Sequence, residues 1–187
     1  QFQGTVSVRD ALRQSLNVPA VALLDRVGPV RFVGDLRTAG ARIGFQRLAG
    51  TPSLPVALGG VGIDLVDLTM LYTTFPNGGM AAPLRVTEAA PAAPMRLMGS
   101  AAAWYVTDIL RGSPLPDGFA QGLGLARVRD IAFKTGTSYG FRDAWAVGFS
   151  PDYTVGIWVG RADGSPRPGH FGRNTRSEEH TSELQSR

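Results

Sequence analysis

Between residues 130 and 160 the apolar pattern of this chain changes its period, and this restricts the fold more than any other feature. Asp130–Thr137, Asp143–Ser150 (DAWAVGFS) and Tyr153–Gly160 (YTVGIWVG) are short runs rich in β-branched and aromatic residues, with apolar positions recurring every second residue. Ser150-Pro151-Asp152 between the last two is a tight-turn signal. Three consecutive strands with short links predict an antiparallel meander.

Upstream the period is helical. Ser7 is an N-cap for a helix from Val8 to about Gln14, and Asp10 completes a capping-box pattern. Ser15-Leu16-Asn17-Val18 is expected to be extended, because the residue before Pro19 is pushed out of the α region. Pro19 suits the first turn of a helix from Ala20 to about Arg26, closed by Gly28. A third helix is expected over Val30–Ala39, ending at Gly40. Asp64 and Asp67 cap an amphipathic helix, Leu65–Phe75, stopped by Pro76-Asn77-Gly78-Gly79. Met80–Pro94 reads as extended or loop, and Ser100 caps a helix to about Arg111. Helices first and strands last give an α+β fold rather than alternating βαβ units.

The 187 residues are 43% apolar and 18% charged, the balance of one globular domain. With no cysteine, disulfides, thiolate metal sites and a cysteine nucleophile are excluded. His170 has no metal-ligand spacing around it and reads as a loop residue, so neither metal nor cofactor is implied. The net charge of +4 comes from dispersed arginines without a dense stripe, which argues against a nucleic-acid partner. Lys134 is the only lysine, so any side-chain primary amine must be this one. Arg176–Arg187 (RSEEHTSELQSR) breaks the composition, holding three of the four glutamates. It is expected to be a non-native polar tail after a domain portion spanning 1–175, and the chain reads as a fragment cut at both ends.

Lys134-Thr135-Gly136-Thr137-Ser138 stands at the head of the meander. On a strand, such a run combines a positive field, a glycine that admits substrate to the backbone, and hydroxyls and N–H groups able to hold a carboxylate and an oxyanion. Ser15-Leu16-Asn17 offers a hydroxyl and an amide two residues apart, sharing a face if extended. Such a pair can relay a proton and hold an acyl amide. Ser-x-Asn followed by Lys-Thr-Gly matches two of the three motifs of penicillin-recognising serine enzymes.

Gly4–Val21 (GTVSVRDALRQSLNVPAV), Leu58–Tyr72 (LGGVGIDLVDLTMLY) and Lys134–Gly160 (KTGTSYGFRDAWAVGFSPDYTVGIWVG) resemble the transpeptidase domain of class A penicillin-binding proteins, nearest their 1C type. The resemblance implies a truncated penicillin-binding-protein/serine β-lactamase-like fold, with a helical part preceding the three-stranded meander. It implies a parent that crosslinks peptidoglycan by serine acyl transfer on D-Ala-D-Ala stem peptides and binds β-lactam antibiotics. That parent would carry an N-terminal glycosyltransferase and work at the periplasmic face of the bacterial inner membrane, anchored by a segment outside this chain.

By the same resemblance Ser15 shuttles a proton to the leaving amine, Asn17 hydrogen-bonds the bound peptide, and Lys134 biases the Ser15 proton and attracts the substrate carboxylate. Thr135 and Thr137 contact that carboxylate, the Thr137 N–H supplies half an oxyanion hole, and Gly136 and Ser138 complete the substrate-binding run. Leu16 replaces the Asp of the Ser-Asp-Asn form of β-lactamases, which favours a transpeptidase. The departure is the nucleophile. The family's Ser-x-x-Lys is absent, because Ile131 stands three places before the sole lysine. It is expected upstream of Gln1.

Two rivals remain. Gly136-Thr137-Ser138-Tyr139-Gly140 fits the G-x-S-x-G elbow of an α/β-hydrolase-like esterase using Ser138, with Asp152 or Asp163 and then His170 in order. That elbow needs a helix after its serine, whereas Phe141–Ser150 alternates like a strand. The missing nucleophile also leaves room for a non-catalytic cell-wall binding module.

Overall fold

The alternating segment forms the meander. The computed structural model describes residues 4–45, 50–85, 87–88, 93–114, 131–138 and 142–165. In chain order these hold α1 (Val8–Arg13), α2 (Asn17–Val27), α3 (Pro29–Thr38), β1 (Ile43–Gly44), a 3-10 turn (Leu54–Leu58), β2 (Gly62–Ile63) and α4 (Leu65–Tyr72). There follow β3 (Met80–Ala81), β4 (Met95–Arg96), α5 (Ser100–Arg111), β5 (Ala132–Thr137), β6 (Asp143–Phe149) and β7 (Thr154–Gly160). Strands β5, β6 and β7 form one antiparallel sheet in that order, with Lys134 opposite Val147, Trp145 opposite Trp158 and Asp143 opposite Gly160. Two small antiparallel ladders, β1 with β2 and β3 with β4, lie outside it.

Helices cover one face of this sheet. A Cβ at Gly156 would overlap the Thr69 hydroxyl, so the missing side chain lets α4 approach β7 closely. On β5, Ala132 is buried together with Leu110 of α5 and Phe149 of β6. Phe75 stacks on Phe149 at 5.4 Å between centroids, and Tyr72 meets Phe75 edge-on at 5.5 Å. Each large apolar side chain buried there contributes about 1.5–3 kcal/mol. A second cluster gathers Val33, Ile43, Met70, Leu71 and Ala81. Helix α4 serves both cores, with Met70 and Leu71 in one and Tyr72 in the other.

Local signals explain most boundaries. The Ser7 hydroxyl accepts the Asp10 N–H at 3.1 Å and donates to the Asp10 carboxylate at 2.6 Å, capping α1 as expected. Glycine closes α2 at Gly28 (φ +88°), and Gly40 (φ +100°) follows α3.

Several boundaries differ. Asn17 and Val18 are helical rather than extended, with Leu16 as the N-cap, so Ser15 and Asn17 do not share one extended face. Pro19 occupies the third helical position, where an N–H has no intrahelical acceptor, so its missing donor costs no hydrogen bond. Helix α4 ends at Tyr72, short of Phe75. The Asp64 carboxylate does not cap α4; it lies 2.9 Å from Arg42, which also holds Asp67 at 2.9 Å. Arg42 keeps the Asp67 carboxyl below its ordinary pKa, chiefly through that side-chain hydrogen bond. Ser100 is the first residue of α5, and Gly99 caps it. The proposed tail, Arg176–Arg187, lies outside the described residues.

Candidate active site

Helix α1 ends in a loop that places Ser15. The Ser15 N–H donates to the Leu12 carbonyl at 3.3 Å, and the Leu16 N–H donates to the Ala11 carbonyl at 2.9 Å. This is a Schellman closure, whose turning residue adopts left-handed backbone angles and is usually glycine. Helix α3 closes identically through Gly40 N–H to Arg37 and Ala41 N–H to Leu36, at 3.0 and 3.1 Å. At α1, Ser15 takes the glycine's place with φ +57°, and it is the one non-glycine residue with positive φ among those described. A side chain there costs roughly 1–2 kcal/mol. Something must hold the hydroxyl in place.

Lys134 meets it. From the helix-covered face of β5 its ammonium donates to the Ser15 hydroxyl, and also to the Thr135 carbonyl at 2.8 Å. None of the ion pairs among the described residues involves Lys134. Burial therefore pushes its pKa below the usual lysine value without an opposing carboxylate.

Helix α5 holds both partners. Arg9 bonds Asp108 at 2.7 Å, and Arg13 Nε donates to the Ile109 carbonyl, in the last turn of α5, at 3.1 Å. Gly112 leaves the room this needs, since a Cβ there would overlap the Arg13 guanidinium. One residue on, the Ser113 hydroxyl donates to the Phe133 carbonyl of β5 at 3.3 Å. The spacing of Ser15 from Lys134 is thus set by one helix gripping α1 and β5.

The register assigns the remaining groups. Ser138 N–H donates to Asp143 O on β6 at 2.9 Å, so by the alternation of an antiparallel ladder Thr137 and Thr135 turn their backbone groups to the other edge. That edge of β5 carries no paired strand among the described residues. Thr135, Gly136 and Thr137 are exposed there. A Cβ at Gly136 would meet only Trp145 Cβ, at an ordinary 3.9 Å, so intramolecular packing does not demand a glycine.

The structure thus joins Ser15 to Lys134 and lines the Thr135–Thr137 edge beside them. It does not unite every expected residue. Asn17 opens α2, and its side chain makes no hydrogen bond among the described residues. The Ser138 hydroxyl is engaged by Asp143, donating to Oδ2 at 3.0 Å and accepting the backbone N–H at 2.9 Å. Asp143 was not a site candidate from sequence; neither were Trp158 and Gly160, which meet it only through the strand register.

Among the described residues the esterase elbow does not form. The next described element after Ser138 is strand β6, not a helix. Asp152 lies in the β6–β7 turn, where its N–H donates to the Ser150 hydroxyl at 3.3 Å. Asp163 is bonded to Ser165, and His170 lies outside the described residues.

No protein-family model matches the chain. It is 44% identical over 173 residues to penicillin-binding protein 1C of Escherichia coli, a match covering 91% of this chain and 22% of that protein. It is 33% identical over 168 residues to penicillin-binding protein 1A of Aquifex aeolicus, covering 84% of this chain and 22% of the relative. The chain therefore spans less than a quarter of either relative's length. Its fold matches the crystal structure of penicillin-binding protein 1A from Haemophilus influenzae with a TM-score of 0.68 at 20% identity, over 88% of this chain and 31% of that one. It also matches the D,D-transpeptidase domain of a peptidoglycan glycosyltransferase from Eggerthella lenta, with a TM-score of 0.57 at 19% identity, over 83% and 49% of the two chains.

Proposed function

From the membership of this chain in the penicillin-binding protein family, as part of a transpeptidase domain of the class A, 1C type, we propose that it supplies the proton-relay and substrate-carboxylate side of a peptidoglycan transpeptidase. The observation that carries this reading is the contact between Ser15 and Lys134, which lie 119 positions apart in sequence.

The chemistry follows from where protons can go. In the acylation step a serine oxygen bonds to the carbonyl carbon of the penultimate D-Ala, and the C–N bond to the terminal D-Ala breaks. The departing nitrogen needs a proton. Lys134 donates into the Ser15 oxygen, so the hydroxyl's own hydrogen is free to turn toward that nitrogen. A lysine whose pKa burial has lowered is a readier donor to Ser15 as it gives up its proton. The ammonium and the Thr135 and Thr137 hydroxyls attract the terminal carboxylate, the edge-facing Thr137 N–H stabilises the oxyanion, and Asn17 holds the acyl amide. An extended stem peptide fits the open edge of β5 by strand addition. β-Lactams, as acylating mimics of D-Ala-D-Ala, use the same groups.

The attacking serine and its lysine are not in this chain, whose single lysine is Lys134. In this reading a Ser-x-x-Lys segment of the longer parent provides them, and the parent also carries the glycosyltransferase and the anchor that hold it at the periplasmic face of the inner membrane. The test is a chimaera in which the upstream part of the E. coli 1C transpeptidase domain precedes this chain. It should release D-Ala from a D-Ala-D-Ala stem peptide, and Lys134→Ala should reduce release by about 10²-fold or more. A chimaera that labels with penicillin yet turns over no stem peptide would contradict the substrate assignment.

A further inference from the structure

We infer that Asp143 is a positioning residue that fixes the end of the Lys-Thr-Gly-Thr strand, and with it the direction of the Thr137 N–H; the inference rests on the acyl-transfer reading above. The last rung between β5 and β6 is unusual. Ser138 N–H donates to Asp143 O at 2.9 Å, but the return bond runs from Asp143 N–H to the Ser138 hydroxyl, also at 2.9 Å, where a regular ladder would use a carbonyl. The hydroxyl then donates onward to Asp143 Oδ2 at 3.0 Å. The strand end is locked by side chain as well as backbone.

The second carboxylate oxygen is held from β7. Trp158 Nε1 donates to Asp143 Oδ1 at 2.9 Å. Gly160, directly opposite Asp143, makes that reach possible, because a Cβ at position 160 would overlap the Trp158 indole. The carboxylate has no ion-pair partner among the described residues, so its charge is met by neutral donors aimed at both oxygens. Trp158 Nε1–H can only donate, so the oxygen that faces it must accept. An Asn at 143 can give its one oxygen to Trp158 only by turning its N–H toward the Ser138 hydroxyl, which reverses the direction of that bond.

Direction is the consequence. With Ser138 N–H locked inward toward β6, the residue before it must present its N–H outward on the open edge. Thr137 is the group proposed to touch the oxyanion; Asp143 acts through it. Loss of the rung lets the strand end fray, and a donor that must sit within a few tenths of an ångström of a developing charge loses its aim.

Two measurements test this. In the 187-residue chain, Trp158→Phe removes one donor and keeps an aromatic side chain, and Asp143→Ala removes the acceptor. Both should speed amide exchange at Ser138 about tenfold, leaving the mid-strand Val147 amide unchanged. In the chimaera with the E. coli upstream segment, the same variants should lower the penicillin acylation rate constant about tenfold at unchanged non-covalent affinity, with Asp143→Asn falling between. Unchanged Ser138 exchange in both variants overturns the proposal, as does wild-type acylation despite faster exchange. A wild-type chimaera that forms no acyl adduct overturns the acyl-transfer reading, and the catalytic half of this one with it.

Discussion

The Lys134 ammonium donates to the Ser15 hydroxyl, and Ser15 is the one non-glycine residue with left-handed backbone angles among those described. The two facts belong together. The Schellman turn needs no side chain at its turning residue, as Gly40 demonstrates after α3. A serine stands after α1 at an energetic cost, and what it brings is a hydroxyl on Lys134. Strain of this kind concentrates at functional sites.

Substituting Ser15 separates backbone strain from side-chain chemistry. Ser15→Gly and Ser15→Ala both remove the hydroxyl, but only glycine is relaxed at φ +57°. The glycine variant should be the more stable by about 0.5–1 kcal/mol in urea unfolding, the left-handed relief being partly offset by glycine's looser unfolded chain. An alanine variant as stable as the glycine variant would show that the turn is unstrained.

Two residues give stability a pH dependence of opposite sign. Burial lowers the Lys134 pKa from 10.5, so between its folded value and 10.5 the unfolded chain binds more protons and stability rises with pH. Burial raises the Tyr72 pKa from 10.0 to about 12, so in that interval the folded chain binds more protons and stability falls. Unfolding free energy should therefore climb toward pH 10 and decline beyond it. Lys134→Met should flatten the climb and Tyr72→Phe the decline; a climb that survives Lys134→Met would contradict the burial assigned to the ammonium.

The grip of α5 on α1 predicts a non-additive pair. In the wild-type background Gly112→Ala displaces the Arg13 guanidinium and should cost about 1–2 kcal/mol through the lost charge-assisted bond to Ile109 O. In an Arg13→Ala background the same glycine change has nothing to displace and should cost close to nothing. Thermal unfolding of the four proteins measures the coupling. Additive effects would mean that Gly112 is not there to admit Arg13.

What the sequence showed of this arrangement depended on how local each signal was. The meander was legible because alternation and the Ser150-Pro151-Asp152 turn lie within the segment they shape. The Ser7 cap and the stops at Gly28 and Gly40 are equally local. Pro19 misled, because its steric restriction of Val18 is a bias and not a bar, and at the third position of α2 its missing N–H costs no hydrogen bond. Asp64 and Asp67 read as helix-capping acids, yet both answer to Arg42, more than twenty positions away. The left-handed turn at Ser15 has no sequence signature, since serine is not the residue such a turn selects. The Asp143 rung depends on the register that sets Gly160 opposite and Trp158 beside it. The motifs singled out Ser15 and Lys134; only the fold shows that the two meet and that α5 spaces them.

The most direct test of the central account is covalent labelling with a fluorescent penicillin. An acyl adduct requires an attacking oxygen with its base in hydrogen-bond reach, and this chain's only amine side chain is engaged beside the proposed leaving group. The 187-residue chain alone should show no labelled band even after long incubation. The chimaera with the E. coli Ser-x-x-Lys segment should label stoichiometrically, and Lys134→Ala within it should slow labelling by orders of magnitude. Stable, stoichiometric labelling of the 187-residue chain itself would contradict the account and move the nucleophile to Ser15 or Ser138.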